Sequence, residues 1–152
     1  MKTTHTLFSF SRSARFFAAA ALCIALPASV SAADIAVKVV ATGVEASKGQ
    51  VYFAVYDNEK DYKKNVNYKS AAVPSVPGSV ECEFLLPEGE YVISIYQDTN
   101  ANGKLDSNLV GIPKEPVGIS NYSGSGIPGG FDKLKMKVDA GTQSIPVKLT
   151  KI

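Results

Sequence analysis

LPEGEYVISIYQDTNANGKLDSNLVGIPKEPVG, residues 86–118, is the most informative segment of the sequence. A turn containing Pro and Gly at 87–90 precedes the segment 91–97, in which Tyr91, Ile93 and Ile95 share one face. A loop rich in Asp and Asn follows directly, and the segment ends in a Pro/Gly exit. This order predicts a half-buried strand with sharp boundaries, followed by a polar loop.

The same alternation of apolar and polar residues recurs along the chain, with turn residues between the segments. It predicts strands at 35–41, 51–56, 71–73, 80–86, 91–97, 134–138 and 145–149. The charged segment 57–69 is expected to be a surface loop with room for one helical turn, and Gly and Pro make 111–130 irregular. Six or seven short strands without a convincing helix predict an all-β fold, an antiparallel β-sandwich of immunoglobulin-like or transthyretin-like build.

The first 32 residues are typical of a secretory signal peptide. Lys2, Arg12 and Arg15 precede a short apolar run at 16–26, and small residues follow it. We expect cleavage after Ala32, which leaves residues 33–152 as one domain in the periplasm or outside a bacterial cell. The apolar run is too short for a transmembrane helix, although an uncleaved anchor is the alternative. After cleavage, no membrane insertion is expected.

Removal of the signal peptide changes which functions the chain can support. Cleavage removes three of the 16 basic residues, which leaves 13 basic and 14 acidic residues. Without a net positive charge, the chain lacks the attraction to phosphates that dominates the affinity of nucleic-acid binding. His5 and Cys23 are also lost, and alternation places the remaining Cys82 on the core face as a small buried hydrophobe. A chain without His has no Ser-His or Cys-His pair, so we expect a protein that is not an enzyme.

The polar loop has the spacing of the first half of a calcium-binding loop. Oxygen-bearing residues occupy every second position, and Gly103 stands sixth, where a sharp turn is needed. The candidate ligands are Asp98, Asn100, Asn102, the backbone carbonyl of Lys104, and Asp106. Leu109 stands where a bidentate carboxylate belongs, so Asn108 or Glu115 would have to substitute. Two carboxylates predict weak calcium binding, roughly in the 10⁻⁴–10⁻³ M range of extracellular modules.

The alternative interpretation of this loop needs no ion. Asn and Asp side chains bond to nearby backbone groups in Asx-turns, and Asn102-Gly103 is a strong signal for a hairpin turn. The spacing alone leaves both interpretations open.

Two stretches resemble the DUF2141 family of secreted bacterial proteins. The first runs from 85 to 131 and includes LPEGEY and DTNANGKLDSNLVGIPKEPVGISN, and the second is GQVYFAVYD at 49–57. The resemblance covers essentially the whole mature chain, except that Gln97 replaces a His often found in the family pattern. It implies a β-sandwich and export, but no activity. The loop is also similar to calcium-binding transthyretin-like repeats of surface adhesins.

Together these features predict an exported, non-enzymatic β-sandwich that binds an unknown protein or glycan as a monomer. Its expected binding surface combines the loop 111–130 with outward Tyr52, Tyr56 and Tyr96, although cross-strand aromatic packing explains these rings more simply. An envelope structural or assembly protein with an ion-free loop is the alternative. A carboxylate enzyme acting on glycans has the least support, because no two acids are paired by the sequence.

Overall fold

The computed structural model describes residues 33–46 and 49–152, so the predicted signal peptide lies outside the described residues. The described part contains eight strands and two short helices. They are β1 Ile35–Val44, β2 Gln50–Tyr56, α1 Glu59–Lys64, β3 Lys69–Pro74, β4 Gly78–Leu86, β5 Gly89–Gln97, β6 Val117–Ile119, α2 Phe131–Leu134, β7 Met136–Val138 and β8 Ser144–Lys148. Over these same residues, no helix combines the length and the apolar character that crossing a membrane requires.

The strands form two sheets, which confirms the predicted all-β sandwich. One sheet has the order β4-β1-β8, and the other has the order β3-β2-β5-β6. β7 pairs with the first part of β5, and β6 pairs with the last part of the same strand. Two details differ from the prediction: the described chain has eight strands, and the β1–β8 pair is parallel, with Val39 opposite Ile145.

The core lies between the two sheets and follows the alternation seen in the sequence. Inward side chains of the long strands are buried or partly buried, and the fully enclosed ones include Val37, Val39, Val51, Phe53, Val55, Leu86, Ile93, Ile95 and Ile145. Cys82 packs against this core while only partly buried, and desolvation raises the pKa of its thiol. The apolar face of each sheet is therefore covered by the other sheet.

A second apolar cluster covers one end of the outer face of the β3-β2-β5-β6 sheet. Tyr56 and Val92 pack there against Phe131 and Leu134, with Tyr62 of α1 at the margin. Tyr56 lies on this outer face, as the alternation predicts, but the cluster covers it, so that the residue is only 4% exposed.

The strand expected at 134–138 begins later, at Met136. Leu134 is instead the last residue of α2, where it shares one side of a helical turn with Phe131. Burial of both side chains on Val92 favours this turn over an extended backbone. The cluster leaves the rest of the outer sheet face accessible to solvent. This part of the face lies toward the ends of β2 and β5 that carry Tyr52 and Tyr96.

Candidate functional site

The polar loop begins where β5 ends, and its base is fixed against β2. Asp98 donates its backbone N–H to the Gln50 carbonyl at 2.9 Å. A Cβ atom at Gly49 would lie 1.7 Å from the Asp98 carbonyl oxygen, so only glycine permits this approach. The first predicted ligand is thus held at a defined place beside the sheet.

Three side chains of the loop accept hydrogen bonds from backbone N–H groups further along it. The Asp98 carboxylate accepts from Asn102 at 3.1 Å and from Gly103 at 2.7 Å. Asn100 Oδ1 also accepts from the Asn102 N–H, and Asn102 Oδ1 accepts from the Lys104 N–H at 2.9 Å. Gly103 takes a φ of 80°, which lets the chain turn sharply at this point. The Asn100 and Asn102 contacts, each to the N–H two residues ahead, are the Asx-turns that the ion-free interpretation predicts, whereas the Asp98 carboxylate reaches four and five residues ahead.

Two amide groups and one buried carboxylate close the loop. Asn100 Nδ2 and Asn102 Nδ2 donate to the same oxygen, Asp106 Oδ2, at 2.7 and 2.8 Å. Glu115 is only 3% exposed. Its carboxylate accepts from the backbone N–H of Thr99 at 2.7 Å and from that of Asp106 at 3.1 Å. Glu115 therefore joins the start of the loop to its end.

The structure brings together the four side chains predicted as ligands, those of Asp98, Asn100, Asn102 and Asp106. Lys104 contributes its backbone to the loop, and its side chain is exposed. Within residues 33–46 and 49–152, no group of three or more His, Cys, Asp or Glu side chains is arranged to hold a metal ion. Calcium binding at the mixed carboxylate and amide set stays a prediction.

Asn108 and Glu115 are the candidate substitutes for the carboxylate missing at position 109, and in the structure they make different contacts. Asn108 bonds within its own turn, where its Oδ1 accepts the N–H groups of Val110 and Ile112. The Glu115 carboxylate points into the loop, where it already accepts hydrogen bonds from the backbone N–H groups of Thr99 and Asp106. Sequence spacing gave no signal for this closing role, because Glu115 contacts groups 9 and 16 residues away.

A groove of about 470 Å³ lies on the outer sheet face beside the loop. Tyr52 and Tyr96 are directly opposite each other on β2 and β5, and their rings stack with centroids 4.8 Å apart and planes 7° from parallel. The loop supplies one wall through residues 103–105. Asn65, Asn67 and Ser70 line another part of the groove.

The polar groups around the rings are mostly neutral. Of the twelve described residues that line the groove, only Lys104 carries a charge. Burial raises the pKa of the Tyr96 phenol, with smaller contributions from Tyr52, Asp98 and Glu115, so the hydroxyl stays protonated and able to donate. Tyr52 and Tyr96 were predicted to face outward, whereas Asn65, Asn67, Ser70 and Ser94 were missed as site residues. Period-two alternation could have identified Ser94, which shares a face with Tyr96.

Comparison with known proteins gives one match. The model of a family described as "Uncharacterized protein conserved in bacteria (DUF2141)" matches residues 39–146, a span that includes the polar loop and every residue lining the groove. Neither a curated protein nor a solved structure matches the chain.

Proposed function

We propose that this chain, which belongs to the DUF2141 family, is an exported, non-enzymatic β-sandwich module that binds a neutral glycan. The observation that carries the proposal is the groove on the outer sheet face, with the stacked Tyr52 and Tyr96 rings at its base. Its volume of about 470 Å³ is within the range of small-molecule sites. Export is proposed from the signal-peptide pattern of residues 1–32.

The chemistry of the groove suits a polyhydroxylated ligand. Aromatic rings combine an apolar face with a polar hydroxyl, so they can pack against the C–H face of a sugar and bond to its hydroxyl groups. Asn67, Ser70 and Ser94 add amide and hydroxyl groups that both donate and accept. These neutral groups favour a neutral glycan over an anionic one, since Lys104 is the single charge among the described lining residues.

Binding without catalysis is the proposed activity. The described residues that line the groove include no Asp, Glu, His or Cys, so no carboxylate, imidazole or thiol stands beside Ser70 and Ser94 to activate a hydroxyl as a nucleophile. The buried carboxylates of Asp98 and Glu115 accept backbone hydrogen bonds inside the loop instead. This supports a role in shaping the groove wall.

We also propose that calcium binds the loop weakly and stiffens that wall. Asp98 and Asp106 both belong to the hydrogen-bond network of the loop, and within the described part of the chain neither forms an ion pair. A cation bound by their oxygens would supply the positive charge that these two carboxylates lack. It would share the Asp106 carboxylate with the two Asn amides that now donate to it.

Retention of the mature chain, residues 33–152, on an array of neutral glucose and N-acetylglucosamine oligosaccharides tests the glycan proposal. We expect binding to at least one of them, and a loss of at least tenfold in affinity for Tyr52→Ala and for Tyr96→Ala. Tyr68→Ala is the matched control, because Tyr68 stacks on Tyr91 and does not line the groove. No retention of the wild type, or retention that neither groove variant reduces, would exclude the site.

Export has its own test, independent of the ligand. The full-length chain is expressed in a bacterium, the periplasmic fraction and the medium are collected, and the intact mass of the product is measured. We expect a product that begins at Ala33. Full-length protein confined to the cytoplasm would contradict export.

An envelope assembly protein is the second candidate, and a cleft between two sheet edges favours it. The cleft has a volume of about 390 Å³ and lies between the edge strands β3 and β4, with Val40, Val73, Val76 and Val80 in its lining. A strand from another copy of the chain could extend either edge. This role predicts oligomers whose size rises with concentration and that Val76→Lys disrupts. Light scattering that shows a monomer at every concentration would contradict it.

A further inference from the structure

A stiff turn projects from the fold after the polar loop. Ser107 and Pro113 form an antiparallel bridge at its base. The Asn108 N–H donates to the Ile112 carbonyl at 2.8 Å, and Asn108 Oδ1 accepts from the N–H groups of Val110 and Ile112. These bonds fix the conformation of the turn without help from the rest of the protein. We call residues 105–112 the tip.

The tip carries large apolar side chains where a surface turn normally has polar ones. Leu109 is fully exposed and Val110 is 78% exposed, and Leu105 and Ile112 are also exposed. These side chains therefore add little to the apolar core. Apolar side chains that a hydrogen-bonded turn holds in water are typical of a surface that binds a partner protein or a membrane.

Positive charge flanks the tip on both sides. Lys104 precedes it and Lys114 follows it, and neither forms an ion pair within the described part of the chain. The nearby acids are directed inward: Asp98 and Glu115 are buried, and Asp106 accepts the amides of the loop. The outward charge next to the apolar tip is therefore basic.

We propose that the tip inserts shallowly into an anionic lipid bilayer, with Lys104 and Lys114 at the headgroup phosphates. The exposed Leu109 and Val110 lie within the turn that the Ser107–Pro113 bridge closes, and the two lysines lie outside the bridge on either side, an order that suits apolar groups in the bilayer and basic groups at its surface. A protein partner would need about 800 Å² of complementary surface on each side, which a narrow convex turn does not offer. A bilayer needs no preformed complementary surface. This proposal differs from the sequence-based expectation that the mature chain makes no membrane insertion, and vesicle binding distinguishes the two.

Flotation of residues 33–152 with vesicles tests the proposal. We expect binding to vesicles of phosphatidylcholine mixed with phosphatidylglycerol, little binding to phosphatidylcholine alone, and loss of binding at high salt. Leu109→Ser with Val110→Ser should reduce the bound fraction at least tenfold, and Lys104→Gln with Lys114→Gln should reduce it severalfold. Ile127→Ser is the matched control, because Ile127 is 95% exposed outside the tip.

A fluorescent reporter gives a second measurement, because the chain contains no Trp. Leu109→Trp should shift its emission to shorter wavelength when anionic vesicles are added, whereas Ile127→Trp should not. Absence of vesicle binding by the wild type, or binding unchanged by the two Ser substitutions, overturns the proposal. Self-association that Leu109→Ser abolishes would also overturn it, in favour of a second copy of the chain as the occupant.

Discussion

Gln97 contacts the backbone of Glu45 with both ends of its side-chain amide. Its Nε2 donates to the Glu45 carbonyl at 2.7 Å, and its Oε1 accepts from the Glu45 N–H at 2.9 Å. Gln97 is the last residue of β5, and Glu45 follows the last residue of β1, so the pair links the two sheets next to the polar loop. Gln97 is completely buried, so these hydrogen bonds satisfy polar groups that the core would otherwise leave unpaired.

Gln97→Leu should lower the free energy of unfolding by about 2–3 kcal/mol, because it leaves two backbone groups of Glu45 without these partners. Urea denaturation of both proteins measures the difference. Gln143→Leu is the control, since Gln143 is exposed and should change the free energy of unfolding by less than about 0.5 kcal/mol. Equal effects of the two substitutions would show that the Gln97 contacts contribute nothing specific.

Glu115→Gln should loosen the polar loop while leaving the sandwich folded. A glutamine presents one acceptor and one donor, so it opposes either the Thr99 or the Asp106 N–H with a donor of its own. We expect a loss of about 1–3 kcal/mol and faster hydrogen exchange at those two amides. Glu88→Gln, at an exposed position in the turn before β5, controls for the change in charge. Unaltered exchange at Thr99 and Asp106 would contradict the closing role of Glu115.

Calcium should raise the melting temperature of residues 33–152. At ten times the dissociation constant, a ligand adds roughly 1.4 kcal/mol of stability. This corresponds to several degrees for a domain of this size. A thermal melt in chelator and in millimolar calcium measures the shift. Asp106→Asn should abolish it, and Asp34→Asn, at an exposed position outside the loop, should not. No shift in the wild type, or a shift that survives Asp106→Asn, would exclude the site.

The stability of the fold should fall in alkaline solution, in part because of Tyr56. Burial raises the pKa of this phenol above 10.0, and Tyr62 adds a smaller contribution. Between pH 10.0 and the folded-state pKa, the folded protein holds the Tyr56 proton that the unfolded chain has lost. The free energy of unfolding therefore decreases as pH rises through this window.

Urea denaturation at neutral pH and above pH 10.0 should show a shallower decline for Tyr56→Phe than for the wild type. Tyr56 also donates a hydrogen bond to Asn65 at 2.6 Å, so Asn65→Ala serves as the control that removes this bond but keeps the phenol. It should be less stable at every pH and retain the wild-type decline. An unchanged slope in Tyr56→Phe would show that Tyr56 does not govern the alkaline response.

Alternation in the sequence predicted most of the fold, because each long strand buries one face. It correctly assigned Tyr91, Ile93 and Ile95 to the core, and it identified 71–73 as part of an edge strand. It failed for Leu134, since one helical turn and a short strand both bring residues two or three apart onto a buried surface. The parallel pairing of β1 with β8 had no local signal, because strand order depends on contacts between distant segments.

The candidate site was predicted in part. Loop spacing identified Asp98, Asn100, Asn102 and Asp106 as neighbours, since their contacts span only a few residues. Of the groove, the sequence predicted only the tyrosines Tyr52, Tyr56 and Tyr96; its walls are formed by the polar loop and the segment after α1, and none of its described lining residues comes from the loop 111–130 that was expected beside them. The burial of Tyr56 was not predicted, because it depends on α2, which lies more than 70 residues further along the chain.

The pairing of β1 with β8 has a consequence for how the chain acquires its structure. Val39 meets Ile145 across this pair, so the first sheet stays incomplete until β8 has been synthesised. Contacts between segments so far apart in the sequence form slowly, because closing the intervening loop costs entropy. A nascent chain that stops before Ser144 exposes the edge of β1 and becomes prone to aggregation.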